Sequence, residues 1–154
     1  MSRIELHIAA EGLTLPAPAA PVAAYVPTVL VGNLLHISGQ LPFAADGQLM
    51  TGKLGSERDL AWGQAAAERC GLMLIAQIKA ALGDLDRVER IVKLGAFVAS
   101  SADFTDQPKV ANGCSELMVR VFGEAGRHAR SAVGVPSLPL DSSVEIDAIV
   151  AVRA

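Results

Sequence analysis

The segment SSVEIDAIVAV, residues 142–152, alternates between two kinds of side chain with the two-residue period of a β-strand. One face of this predicted strand is aliphatic and comprises Val144, Ile146, Ala148 and Val150. The other face carries Glu145 and Asp147, followed by Ile149. A strand with this pattern buries its aliphatic face in a core and leaves both carboxylates on the opposite side of a sheet.

The rest of the chain divides into helical and strand-like segments by its hydrophobic period and turn residues. The first part of the sequence predicts a short leading helix that ends at Gly12, an extended proline-rich segment over residues 16–27, and two strands joined by a hairpin at Gly32-Asn33. A long helix from Glu57 to Leu82 and a strand from Val88 are predicted next. A second helix that starts near Asp106 and a strand over residues 128–135 then precede the final strand. This order of elements predicts an α+β fold with two main helices on one face of a mixed sheet.

Several of these segments assign side chains to faces. On the second hairpin strand, one predicted face holds Leu35, Ile37 and Gly39 and the other holds His36, Ser38 and Gln40. The long helix has an apolar stripe of Trp62, Ala66, Cys70, Leu74, Ile78 and Ala81, and the second helix has one of Val110, Cys114, Leu117, Val121 and Phe122. Apolar residues lie on both faces of the predicted sheet and no third layer is predicted to cover them, so we expect an oligomer.

Length and composition narrow the class of protein. A chain of 154 residues fits one domain over residues 1–154, with residues 1–24 as an N-terminal extension. Hydrophobic residues make up 51% of the chain and aromatic residues only 4%, which predicts a core of aliphatic side chains and alanine. The formal charge is −3 and the 13 Lys and Arg residues form no cluster, which disfavours a nucleic-acid partner.

The cysteines, the histidines and the N-terminal segment give no indication of a metal site or of a signal peptide. Cys70 and Cys114 lie on apolar helix faces without the spacing of a metal site, so we expect buried free thiols. His7, His36 and His128 have no partners at ligand spacing, so no metal site is predicted. No signal-peptide core, no run of ~20 apolar residues and no phosphate-binding glycine loop is visible, so we expect a cytoplasmic protein without a cofactor.

The segment HARSAVGVPSLP, residues 128–139, places a charged arginine among small and apolar residues. A guanidinium in such a setting needs an anion, and its planar fork suits bidentate binding of a carboxylate. Arg130 is therefore the first candidate for a binding residue. The alternative is a structural salt bridge from Arg130 to Glu145, to Asp147 or to a neighbouring subunit.

Glu145 is the second candidate, because a hairpin-like connection between the last two strands would bring it close to Arg130. In a cleft with little solvent it could orient or deprotonate a water; otherwise it is only the partner of Arg130 or a solvated edge residue. Ser38 lacks a Ser-His-Asp setting and is expected to be a turn or strand-end hydroxyl. Tyr25 is either a packed anchor or a lid over a pocket, and Asn112 fits a cap or helix-surface role.

Three blocks of sequence carry more information together than any single motif. They are AYVPTVLVGNLLHISGQLP (residues 24–42), VERIVKLGAFVASSADFTDQPKVAN (88–112) and HARSAVGVPSLPLDSSVEIDAIVAV (128–152). In this order they resemble the Rid/YjgF family, also labelled endoribonuclease L-PSP. The resemblance implies a chorismate-mutase-like fold assembled as a homotrimer, with clefts between subunits that bind a small carboxylate-bearing substrate.

The resemblance also implies a reaction and a set of residues. Typical members hydrolyse reactive enamines and imines of 2-amino acids, such as 2-aminoacrylate, to 2-oxo acids and ammonia. By resemblance, Arg130 binds the substrate carboxylate and Glu145 handles the water. The positions that match the lining of the cleft are Tyr25, Ser38, Gly39, Asn112 and Ala132.

The sequence departs from the family pattern at the rim of the expected cleft. Ala132 stands where many members carry cysteine, the N-terminal extension is longer than usual, and residues 114–131 differ from the common end of the second helix. The substrate therefore stays open. A non-catalytic sensor of 2-oxo acids and a ribonuclease remain alternatives, whereas a chorismate mutase rests on fold analogy alone.

Overall fold

The described part of the chain, residues 1–21 and 23–154 of a computed structural model, forms a five-stranded mixed sheet with helices on one side. The helices are α1 (Arg3–Ala10), α2 (Leu60–Leu82) and α3 (Gln107–Phe122), and the strands are β1 (Thr28–Val31), β2 (Leu34–Gln40), β3 (Val88–Ala99), β4 (Ala129–Val135) and β5 (Val144–Val152). Short 3-10 turns lead into the last three strands at Leu85–Arg87, Gly123–Gly126 and Pro139–Asp141. The predicted α+β class is confirmed.

Strand β5 lies at the centre of the sheet, in the order β1-β2-β5-β3-β4. It pairs antiparallel with β2 on one side and with β3 on the other, and β4 runs parallel to β3 at the edge. The chain reaches β4 from β3 through α3, the kind of crossover that parallel neighbours require. The aliphatic face of β5 is buried, because Val144, Ile146 and Val150 are 0% exposed and Ala148 is 4% exposed.

Helix α2 has local signals at both ends that fix its length. Its start at Leu60 lies three residues after the predicted Glu57, because the Asp59 side chain caps the helix by accepting a hydrogen bond from the Trp62 N–H at 2.9 Å. It ends, as predicted, at Gly83, whose φ of 76° is left-handed.

Helices α2 and α3 pack side by side on the aliphatic face of the sheet and enclose the core. The predicted stripe of α3 is buried throughout. The predicted stripe of α2 is buried from Ala66 to Ile78, but Ala81 is exposed and the adjacent Leu82 makes the last apolar contact instead. No helix in the described residues has the length and apolar character needed to cross a membrane.

The leading helix α1 is confirmed, and its N-terminus is fixed to the 3-10 turn that precedes β3. Ser2 and Glu5 form a capping box, in which each side chain accepts a hydrogen bond from the backbone N–H of the other residue. The Asp86 carboxylate accepts hydrogen bonds from the backbone N–H groups of Arg3 and Ile4, both at 2.9 Å. A carboxylate at a helix N-terminus also interacts favourably with the helix dipole.

The proline-rich segment over residues 16–27 has neither helix nor strand in its described residues, as its prolines predict. Val22 lies outside the described residues. The segment packs on the body of the fold, where Gln77 Nε2 of α2 donates to the carbonyl oxygen of Ala19 at 2.9 Å. A cavity of about 650 Å³ lies between the start of this segment, the connection after β2, and α2.

The predicted faces of β2 are confirmed for Leu35 and Ile37, which are buried, and for His36, which is exposed, but a β-bulge makes the prediction wrong for Gly39 and Gln40. Ile37 pairs with Ala148 and Gln40 pairs with Ile146, so Ser38 and Gly39 together occupy the space of one residue on β5. The extra residue reverses the alternation. Gln40 is consequently only 6% exposed and faces the core. Gly39 instead lies on the opposite face of the sheet, against the Glu145 side chain.

The face of the sheet opposite α2 and α3 carries no helix from the described residues. Around Glu145 and Asp147 it presents apolar side chains, of which Val29 is 48%, Val31 63% and Val133 45% exposed. Exposed apolar side chains grouped in this way are typical of a surface that another protein molecule covers. The homotrimer stays a prediction, and this open sheet face is the surface that it would use.

Gly113 permits α2 and α3 to approach each other closely. A Cβ at this position would lie 2.9 Å from the carbonyl carbon of Gln64 in α2 and would overlap its oxygen. We expect Gly113→Ala to lower the free energy of unfolding by about 3 kcal/mol, because the backbone of α2 would have to move. Urea denaturation measures this change.

The sign of the change in unfolding free energy distinguishes a clash between the backbones of α2 and α3 from the ordinary helix propensity of alanine. Alanine normally stabilises a helix interior relative to glycine by up to about 1 kcal/mol. The exposed Lys109→Ala in the same helix is the control, and its unfolding free energy is expected to stay within about 0.5 kcal/mol of the wild type. A G113A variant as stable as the wild type would contradict the close crossing.

Candidate functional site

Arg130 lies on the edge strand β4 and extends over the helix side of the sheet, toward α3. Its Nη1 donates to Asn112 Oδ1 at 2.8 Å and to Ser115 Oγ at 3.0 Å. Within the described residues, the guanidinium makes no salt bridge to an acidic side chain. A salt bridge to Glu145 or Asp147 of the same chain is therefore not formed, and both protein partners of this charge are neutral.

The guanidinium retains donors that the described chain does not use. An arginine has five N–H groups, and the two on Nη1 of Arg130 are directed to Asn112 and Ser115. The groups on Nε and Nη2 have no acceptor among residues 1–21 and 23–154. A cavity of about 560 Å³ adjoins Arg130, and its other lining residues are Ser115, Glu116, Val119, Arg120, Arg127 and His128. A free guanidinium edge beside a cavity can bind a carboxylate through two parallel hydrogen bonds.

His128 and Ser115 extend the hydrogen bonds of Arg130 into a short network. His128 Nδ1 lies 2.6 Å from the carbonyl oxygen of Gly126, and His128 Nε2 lies 2.8 Å from Ser115 Oγ. Burial lowers the pKa of His128, and the positive charge of Arg130 lowers it further, against the opposing hydrogen bond to Gly126. The ring is therefore neutral near pH 7.

No pattern in the sequence predicts the pairing of Ser115 with His128. One signal was available, because Asn112 and Ser115 are three residues apart and so share a face of a helix. The position of His128 opposite that face depends on the turn at Gly123–Gly126, which local sequence patterns do not predict.

Glu145 and Asp147 lie on the open sheet face, on the side away from Arg130. Burial raises the pKa of Glu145, and the neighbouring Asp147 raises it further. Burial also raises the pKa of Asp147. Two glycines make room for these carboxyls: a Cβ at Gly39 would lie 2.9 Å from the carboxyl carbon of Glu145, and a Cβ at Gly95 would overlap Asp147.

The expected proximity of Glu145 to Arg130 is wrong within one chain. The last two strands do not form a hairpin pair, because β3 lies between β4 and β5 in the sheet. Arg130 pairs with Leu94 of β3, whereas Glu145 pairs with Phe97 of β3 and faces the opposite side. A single protomer therefore does not combine the guanidinium and this carboxyl in one pocket.

The remaining candidate residues divide between the two sides of the sheet. Ala132 lies two positions after Arg130, on the same face, and packs against the core. Tyr25, which is 50% exposed, lines a cavity of about 150 Å³ with Gly39 and Leu140. Ser38 Oγ donates to the carbonyl oxygen of Val26 at 3.0 Å, so Ser38 fastens the chain before β1 to β2. This bond agrees with the expected role of a strand-end hydroxyl.

The cysteines are buried free thiols, as predicted. Cys70 and Cys114 are both 0% exposed. Burial raises the pKa of both thiols, that of Cys114 to about 12. They are therefore protonated near pH 7 and are unsuited to nucleophilic chemistry.

The raised pKa of Glu145 predicts how stability depends on pH. A carboxyl whose pKa is higher in the folded than in the unfolded state lowers stability once it ionises. We expect Glu145→Gln to raise the melting temperature at pH 8, and this gain to disappear as pH falls below the ordinary range of glutamate. Differential scanning fluorimetry measures both. The exposed Glu89→Gln is the control, and an equal gain at pH 4 and pH 8 for E145Q would contradict the assignment.

Comparisons with known proteins identify the family. A family model described as YjgF/chorismate mutase-like, with a suggested endoribonuclease activity, matches residues 5–151. The protein TCP17 of Trypanosoma cruzi is 53% identical over 149 residues, which cover 96% of this chain and 93% of TCP17. The crystal structure of Atu1372 from Agrobacterium tumefaciens, of unknown function, is 49% identical and matches 97% of this chain and 94% of its own with a TM-score of 0.89.

A more distant relative has a reaction in its name. A 2-iminobutanoate/2-iminopropanoate deaminase of Dermatophagoides farinae is 26% identical over 142 residues, which cover 92% of this chain and 95% of the deaminase. The family model spans almost the whole chain, and the observed sheet and helices agree with the fold that the resemblance implies. This chain belongs to the Rid/YjgF family.

Proposed function

We propose that this protein hydrolyses reactive enamines and imines of 2-amino acids, of the 2-aminoacrylate and 2-iminopropanoate type, to 2-oxo acids and ammonia. The observation that supports the proposal most directly is the guanidinium of Arg130, which has neutral partners and a free edge beside a cavity. Family membership and the deaminase among the relatives support the reaction. The site serves a small substrate with one carboxylate.

The chemistry requires little from the protein beyond orientation. The enamine first takes up a proton on carbon to give the protonated imine, whose carbon is electrophilic. Water adds to this carbon, one of its protons moves to nitrogen, and the C–N bond breaks. The hydroxyl then loses its second proton to the departing ammonia, which leaves a carbonyl and ammonium. Holding the carboxylate on Arg130 fixes the imine carbon relative to the water, which lowers the entropic part of the barrier.

Glu145 is the proposed group that accepts the proton from water. Its half-buried carboxyl has a raised pKa, which improves a carboxylate as a base. Within one chain, β3 separates Glu145 from Arg130. The complete site therefore takes Arg130 from one protomer and Glu145 of the partner subunit, together with the small cavity at Tyr25 and Gly39. The open sheet face that carries Glu145 is the surface that a homotrimer would cover.

A non-catalytic sensor of 2-oxo acids is the second candidate. One observation favours it. Within a single chain, the cavity at Arg130 has a guanidinium edge that can bind a carboxylate, but Glu145 and its carboxyl of raised pKa lie on the other face of the sheet. Such a site would bind the acid without activating water. A ribonuclease is less well supported, because Arg120 and Arg127 beside the cavity are paired with Glu11 and Glu124 rather than free for phosphates.

Arg130 substitutions test the carboxylate contact. We expect Arg130→Ala to reduce kcat/KM for ammonia release from 2-iminopropanoate by about a hundredfold or more, because the anion loses a charge-assisted pair. Arg130→Lys is also expected to be severely impaired, since an ammonium lacks the planar fork. The control is Arg127→Ala, which removes an exposed charge from the same cavity and should retain nearly full activity.

Two results would decide against the enzyme. If R130A turned over 2-iminopropanoate at the wild-type rate, Arg130 would have no role in the site. Tight binding of pyruvate to the wild type, together with no ammonia release from a broad panel of imines, would favour the sensor instead.

Mixing two inactive variants tests whether the site is shared between subunits. Arg130→Ala and Glu145→Gln are each expected to be inactive alone. After subunit exchange in equal amounts, about a quarter of the sites combine an intact Arg130 with an intact Glu145 of the partner subunit, so about a quarter of wild-type activity should return. No recovery, in a mixture shown by mass spectrometry to contain mixed oligomers, would place both residues in one protomer's site.

A further inference from the structure

Ser115 and His128 connect the guanidinium of Arg130 to the backbone through directed hydrogen bonds. A carbonyl oxygen only accepts, so His128 Nδ1 donates to Gly126 at 2.6 Å. In the neutral ring, Nε2 then has a lone pair and accepts from the Ser115 hydroxyl at 2.8 Å. The Ser115 oxygen in turn accepts from Arg130 Nη1 at 3.0 Å. Of these three bonds, only the one between Ser115 and His128 depends for its direction on the neutral state of the ring.

Protonation of His128 would change the direction of one bond in the network. Nε2 would become a donor, and Ser115 Oγ would accept from both His128 and Arg130 with its two lone pairs. The Ser115 hydrogen would then be free to donate into the cavity that Ser115, His128 and Arg130 line together. The same step adds a positive charge beside the guanidinium. Both changes favour an anion that also carries an acceptor oxygen.

The charged groups that line the cavity together with His128 determine the sign of this coupling. They lie on β4, on the turn before it and on α3, and are Arg130, Arg127, Glu116 and Arg120. Arg127 and Arg120 are paired at the surface with Glu124 at 3.1 Å and with Glu11 at 2.9 Å. Within the described residues, Arg130 is the cation of this cavity that makes no salt bridge, and its charge opposes protonation of His128 until an anion neutralises it.

We propose that His128, acting through Ser115, is a positioning residue that couples the binding of a 2-oxo carboxylate at Arg130 to the uptake of one proton. The carboxylate pairs with the guanidinium, and the 2-oxo oxygen accepts from the Ser115 hydroxyl when His128 is protonated. This inference rests on the proposed function, since it takes Arg130 as the carboxylate site. It specifies the ligand further, as a carboxylate with an acceptor oxygen on the adjacent carbon.

Linkage gives the expected pH dependence. Because the ligand raises the pKa of His128, affinity increases as pH falls through that pKa and is constant well above it. Calorimetric titration of the full-length protein with pyruvate should show affinity rising roughly fivefold or more from pH 8 to pH 5.5. In His128→Gln, which keeps a hydrogen-bonding amide but never ionises in this range, and in Ser115→Ala, the rise should be mostly lost.

Titration of His128 by NMR tests the coupling even if the His128 and Ser115 variants fail to fold. Proton NMR of the His128 ring in the wild type should show its pKa raised by saturating pyruvate and raised also by Arg130→Ala, which removes the opposing charge. His36→Gln is the matched control, because His36 is exposed on β2 on the opposite side of the sheet and should leave the pH dependence unchanged.

The outcomes distinguish this inference from the proposed function. If pyruvate binds the wild type with an affinity that is independent of pH, or if H128Q keeps the full rise, the coupling is wrong and the carboxylate site stands. If pyruvate leaves the pKa of His128 unchanged while it binds, the coupling is also wrong. If pyruvate does not bind at any pH, the carboxylate site itself is wrong, and the inference falls with it.

Discussion

The rest of the structure depends on the two unlike faces of β5. Its aliphatic face closes the core under α2 and α3, and its other face carries Glu145 and Asp147. Hydrogen bonds to β2 and β3 fix this strand on both sides, so moving either carboxyl to the helix side would turn every core residue of the strand outward. One register therefore determines both the core and the position of the acidic groups.

Because β3 lies between β4 and β5, the candidate side chains of this chain lie in two separate regions. Arg130 extends over the helix side at the edge of the sheet, where it bonds to Asn112 and Ser115 and, within the described residues, makes no salt bridge to an acid. The carboxyls lie on the open face, beside apolar side chains that nothing in the described chain covers. The guanidinium has only neutral partners, and the half-buried carboxyl of Glu145 has a raised pKa. These two features are the physical reason for proposing a ligand and a second subunit.

Local costs to stability occur at the carboxyls of the open sheet face and at the cavity beside Tyr25. Gly39 and Gly95 leave space for carboxyls whose ionisation burial disfavours. Leu140 and Asp141, in the connection before β5, hold left-handed φ values of 59° and 61°, which are strained for residues with a side chain, and Leu140 lines the cavity at Tyr25. Proteins commonly retain such costs where the geometry serves binding or catalysis.

The sequence by itself determined the features that depend on neighbours along the chain. The alternation of β5, the stripe of α3 and the glycine that ends α2 were predicted, because period and capping are local properties. The family and its candidate residues also followed from ordered blocks of sequence. Only the tertiary structure decided the bulge that turns Gln40 inward, the separation of Arg130 from Glu145 by β3, and the pairing of Ser115 with His128. Each of these depends on contacts between segments distant in sequence, whose relative positions no local pattern specifies.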